Sequence, residues 1–101
     1  MFKCDYEQQA NNQVFILSGK LDQDSFTQFD NFVREKYAKG SDVILNLESL
    51  NYVSSVGLRS FISLAKMVHE DKKNINIKAA KEGMVRELIR LSGFTRLMPF
   101  I

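Results

Sequence analysis

The side chains of this sequence with the most scope for chemistry are two adjacent serines, Ser54 and Ser55. They lie in the run Val53-Ser54-Ser55-Val56-Gly57-Leu58-Arg59. Behind them Leu58, Phe61, Ile62, Ala65 and Val68 recur at helical spacing, so the pair falls at the start of a helix. There the first backbone N–H groups lack intrahelical partners, and the aligned peptide dipoles present positive potential. Two roles suit a serine in that place. A hydroxyl at the N-cap accepts a hydrogen bond from the first turn, which is a structural role. A phosphate on Ser55 would instead add about 1.5 to 2 negative charges and three acceptor oxygens, which the helix N-terminus can solvate without refolding. Gly57 costs about 1 kcal/mol relative to alanine in a helix interior. Its presence implies close approach of other backbone, either a partner's surface or the chain's own sheet.

The remaining reactive groups do not assemble into a site. Ser63-Leu64-Ala65-Lys66 has the S-x-x-K spacing of penicillin-recognising enzymes, but it lies mid-helix in a chain with no S-D-N or K-T-G element. His69 is the only histidine, and nothing in the sequence ties it to the serine pair; a solvent-facing helix end suits it. One cysteine and one histidine make no typical zinc site without several carboxylates, and neither metal nor cofactor is expected. Cys4 has no partner for an internal disulfide, which fits a reducing compartment and a half-buried strand position. Asp71-Lys72-Lys73-Asn74 reads as a solvated turn.

The elements that position the serines follow from periodicity. Two strands, about residues 2–8 and 14–17, flank Asn11-Asn12 as a hairpin. Phe26, Phe29, Val33 and Tyr37 mark a helix, with Asp22 or Asp24 to cap it and Gly40 to end it. The nearly unbroken apolar run Val43-Ile44-Leu45-Asn46-Leu47 reads as a central strand covered on both faces, and residues 48–52 connect it to the serine-bearing helix. Ile75, Ile77 and Ala79 alternate as a further strand. A third helix carries Met84, Val85, Leu88 and Leu91 inward and stops at Gly93, before a short last strand around residues 97–100. Strands alternating with helices predict an α/β fold: a mixed sheet of four to five strands, parallel at its centre, with about three helices. The serines then sit at the carboxyl end of a central strand, where open α/β sheets place their function.

Bulk composition narrows the function classes. A length of 101 residues allows one domain, 1–101. With 45% hydrophobic and 26% charged residues the chain folds instead of staying disordered. Its 14 Lys and Arg interleave with 12 Asp and Glu for a net charge of +2, so no nucleic-acid footprint is present. No signal-peptide h-region and no stretch near the roughly 18 apolar residues of a membrane span is found. A cytoplasmic protein with no membrane partner is expected.

The run from Leu45 to Arg59 resembles the core motif of STAS domains, the anti-sigma-factor antagonists and sulfate-transporter tails, and the likeness continues through Lys20-Leu21-Asp22 and Leu88 to Phe94. The resemblance implies a protein that is a substrate of enzymes and not an enzyme. Unmodified, such an antagonist binds an anti-sigma factor that is itself a serine kinase; phosphorylation breaks the complex and a metal-dependent serine phosphatase restores it. It further implies Ser55 as the phosphoacceptor. Lys20, Leu21 and Asp22 join Ser54, Ser55, Val56, Gly57, Leu58 and Arg59 as the partner-binding patch. Many members carry Asp immediately before the acceptor, whereas this chain has Ser54, which makes Ser54 the fallback site. Relatives usually add a final helix after the last strand, whose covering is expected to be replaced or missing here. The alternative is a STAS scaffold or regulatory subunit of a transport or signalling complex that is never phosphorylated.

Overall fold

A computed structural model describes residues 1–101. Its elements are β1 (Lys3–Gln9), β2 (Asn12–Leu21), α1 (Phe26–Lys36), β3 (Asp42–Val53), α2 (Ser55–Glu70), β4 (Ile75–Lys78) and α3 (Met84–Ser92), followed by a 3-10 turn, Phe94–Arg96. One sheet of order β1-β2-β3-β4 results, antiparallel between β1 and β2 and parallel elsewhere. Every parallel connection steps one place in the same direction, so right-handed crossovers put the three helices on one face. The expected α/β class and mixed sheet are thus observed, but helices cover β3 on one face only, and Ile44 and Asn46 are half-buried on the other.

Alternation along the strands sends Phe15 and Leu17, Val43, Leu45 and Leu47, and Ile75 and Ile77 toward the helices, where all are buried. Phe29 and Val33 of α1, Phe61, Leu64, Ala65 and Val68 of α2, and Val85 and Ile89 of α3 complete a single core. Phe29 and Phe61 meet edge to face, with ring centroids 5.7 Å apart, and lock α1 to α2.

Several boundaries differ from the sequence expectation. Strand β3 continues through Glu48–Tyr52 instead of ending at Leu47. Register shifts between Ile16 and Ser18 and between Gly19 and Lys20 interrupt the alternation, so the strand period stops being visible while pairing to Val53 persists. Helix α1 begins at Phe26, because Ser25 and Asp22 tie up the preceding turn. The Ser25 hydroxyl donates to the Lys20 carbonyl at 2.8 Å and accepts from the Asp22 N–H at 3.0 Å. It ends at Lys36, before Tyr37 and Gly40.

In α3 only Val85 and Ile89 are buried; Met84 is 55% and Leu91 67% exposed, contrary to the inward positions expected of both. One and two residues off the Val85–Ile89 line amount to rotations of about 100° and 200°. The last strand is reduced to one parallel bridge, Ile77 to Phe100. Its hydrogen bonds run from Ile77 N–H to the Pro99 carbonyl, 2.8 Å, and from Ile101 N–H to the Ile77 carbonyl, 2.9 Å.

Candidate functional site

The serine pair is held where β2, β3 and α2 converge. Leu21, the last residue of β2, pairs with Val53, the last of β3. The Ser54 N–H then donates to the Leu21 carbonyl at 2.9 Å. Ser54 is extended (φ −88°, ψ 174°) and is the N-cap of α2; its hydroxyl accepts from the Gly57 N–H at 3.2 Å. The two roles open to these serines therefore divide. Ser54 performs the capping, and Ser55 is exposed at the first helical position.

Gly57 explains why the junction is so close. A β-carbon on it would stand 2.7 Å from the Leu21 carbonyl oxygen and 2.8 Å from Val53 Cγ2. Of the two explanations for this glycine, packing on the chain's own sheet is the one realised. Leu21 is likewise fully buried. Neither Leu21 nor Gly57 offers a side chain to a partner, which corrects their place in the expected binding patch. They set the geometry from beneath.

The residues that do reach the surface are Lys20, Ser55 and Arg59, which are exposed, with Asp22, Ser54, Val56 and Leu58 half-buried. The β2 end and the helix start thus form one continuous patch. Tyr52 belongs to it and was missed by the sequence reading. It is 37% exposed and pairs in register with Lys20. A large aromatic just ahead of the serines was the available signal. Gln23, Phe26 and Asp30 of the α1 side line a shallow groove with Val56, Arg59, Ser60 and Ser63, extending the patch between α1 and α2.

Electrostatically the helix start is uncompensated, since the first turn of α2 carries no acidic residue. Arg59 lies one helical turn beyond Ser55 and enters none of the ion pairs, which join Lys39 to Asp71, Lys78 to Glu48 and Arg90 to Glu87. Added negative charge at Ser55 would meet free N–H groups and a free guanidinium.

Other candidates lie apart. His69 occupies the far end of α2, roughly 20 Å along the axis from Ser55, with its Nε2 3.0 Å from the Leu97 carbonyl oxygen. It does not meet the serines. Cys4 is half-buried in β1, and burial, then the neighbouring Asp5 carboxylate, pushes its thiol up to about 11. No group of three His, Cys, Asp or Glu side chains is placed to hold a metal ion, and no helix is long and apolar enough to cross a membrane.

A mixed sheet with its helices on one face, and a capped serine pair where β3 passes into α2, defines a STAS-type α/β domain. A family profile described as "Mlab, STAS domain" matches residues 4–99, and the chain belongs to that family. Among solved structures, an anti-sigma factor antagonist from Mycobacterium paratuberculosis superposes with a TM-score of 0.86 at 17% identity, over 99% of this chain and 85% of that one. The antagonist SpoIIAA in its unphosphorylated form gives 0.79 at 19% identity, over 98% and 88%. The Bacillus cell-fate determinant SpoIIAA in its phosphorylated form gives 0.72 at 18%, over 98% and 91%. At these identities the likeness is one of fold. Comparison with the curated proteins returned no match.

Proposed function

We propose that this domain is an anti-sigma factor antagonist: a protein-binding switch that sequesters an anti-sigma factor serine kinase when unmodified and releases it when Ser55 is phosphorylated. The observation that carries the reading is the division of labour at the start of α2. Ser54 satisfies the cap, which leaves the Ser55 hydroxyl open to a visiting enzyme.

A phosphate there changes the surface and leaves the fold alone, because the helix start can solvate it. At the interface the same charge must be desolvated against a partner built for a neutral hydroxyl, and each 1.4 kcal/mol so lost weakens binding about tenfold. Lys20, Asp22, Tyr52, Val56 and Arg59 supply the surrounding contacts. A serine phosphatase returns the domain to its binding form, and the domain acts as substrate of both enzymes without catalysis of its own.

The test is incubation with the kinase it binds and ATP, followed by peptide mass spectrometry. One phosphate at Ser55 is expected; a phosphate at Ser54 or elsewhere, or none from an active bound kinase, defeats the assignment. Ser55→Ala should bind constitutively and Ser55→Asp weakly. The second reading is an unphosphorylated STAS scaffold or regulatory subunit of a transport or signalling complex. Retained binding by Ser55→Asp selects it.

A further inference from the structure

The two edges of the sheet are treated differently. Beyond β4, the Pro99–Ile101 segment closes the edge with its two hydrogen bonds to Ile77. On the outer side of β1 no strand of residues 1–101 pairs. None of the loop and cap backbone hydrogen bonds reaches residues 3–9. A seven-residue strand is left with one row of unpaired N–H and C=O groups, a template for another strand.

Which groups point outward follows from the hairpin. Gln9 and Asn12 flank a two-residue turn and form a hydrogen-bonded pair. Alternation from there directs Glu7, Asp5 and Lys3 toward β2 and turns the backbone groups of Gln8, Tyr6 and Cys4 outward. An antiparallel strand at this edge can therefore hydrogen-bond only with even-numbered residues facing even-numbered ones.

We propose that a second copy of this chain occupies the edge, β1 against β1 about a two-fold axis at Cys4, joining the two sheets into one of eight strands. Side-chain charge selects that register. Centred on Cys4, Lys3 of each copy faces Asp5 of the other, giving two ion pairs in closely spaced, non-hydrogen-bonded positions on the helix-free side of the sheet. Centred on Lys3, two lysines oppose each other. Centred on Asp5, Lys3 faces Glu7 twice but two aspartates oppose each other at the axis. Centred on Tyr6, Asp5 faces Glu7 twice. Only the Cys4 register pairs opposite charges without apposing like ones. The symmetry is isologous, so each substitution acts twice.

The experiment is sedimentation equilibrium of the full chain under reducing conditions from micromolar to millimolar concentration. Wild type should rise from 11.6 kDa toward twice that mass. Lys3→Asp alone and Asp5→Lys alone each turn two attractions into two repulsions and should weaken association on the order of tenfold. Mixing the two single variants regenerates both ion pairs, and the double variant does so within one chain; both should recover wild-type association. Both positions are exposed, so circular dichroism of the variants should match wild type. Hydrogen exchange at the Cys4 and Tyr6 amides should slow with concentration while Asp5, already paired to β2, stays unchanged. A chain that remains at 11.6 kDa throughout overturns the proposal. So does a dimer indifferent to the single reversals, or one that mixing fails to restore.

Discussion

Gly57 sits so close to Leu21 that a β-carbon on the glycine would lie 2.7 Å from the Leu21 carbonyl oxygen. That carbonyl also accepts the Ser54 N–H, so one peptide group of β2 fixes both the cap and the first turn of α2. The position of Ser55 is a consequence of this contact.

Gly57→Ala is the direct probe. Alanine gains about 1 kcal/mol in helix propensity, while crowding backbone and Val53 costs about 1 to 3 kcal/mol. The net expectation is a lower denaturant midpoint. Chemical-shift changes at Leu21 and Ser54 should be larger than at α3. A stabilised variant would show that the close approach is not a constraint.

The serines should separate in a stability measurement. Ser54→Ala removes the acceptor for the Gly57 N–H and should cost about 1 kcal/mol. Ser55→Ala alters an exposed side chain and should fall within about 0.5 kcal/mol of wild type. Urea unfolding of both variants decides it; equal losses would mean that capping is shared.

Phe61→Ala should remove the edge-to-face contact with Phe29 and leave a void between α1, α2 and the sheet, at about 3 to 5 kcal/mol. Against the roughly 5 to 15 kcal/mol of a typical domain, that loss is large. The expected readout is a large fall in Tm, or a chain unfolded at ambient temperature.

Alkaline pH should destabilise the domain through two groups whose neutral forms the fold favours. Burial, then Asp5, holds the Cys4 thiol up to about 11 from 9.0. Burial, the 2.6 Å hydrogen bond to Asp71 and its charge raise the Tyr37 phenol above its ordinary 10.0. Both folded values exceed the unfolded ones, so the unfolded state ionises first, and stability present below pH 9 declines as pH rises toward 11. Cys4→Ala with Tyr37→Phe should flatten that decline in chemical-denaturation curves taken across the range. An unchanged slope would assign it to other groups.

The order of elements was legible because Val43 to Leu47 form a nearly unbroken apolar run, Ile75, Ile77 and Ala79 alternate with polar residues, and the helices repeat their apolar residues at three and four. Where that pattern broke, the reading failed. Residues 48–52 lost their strand character at a register shift, and α3 has too few turns for its stripe to exclude Met84 and Leu91.

The sequence by itself determined that two serines would open a helix behind a central strand, since helix starts and apolar periods are local properties of neighbouring residues. Only the tertiary structure decided which serine caps and which is free, and that Gly57 and Leu21 face inward. Those outcomes rest on a contact between positions 21 and 57, and no local period carries information about a carbonyl brought up from another strand.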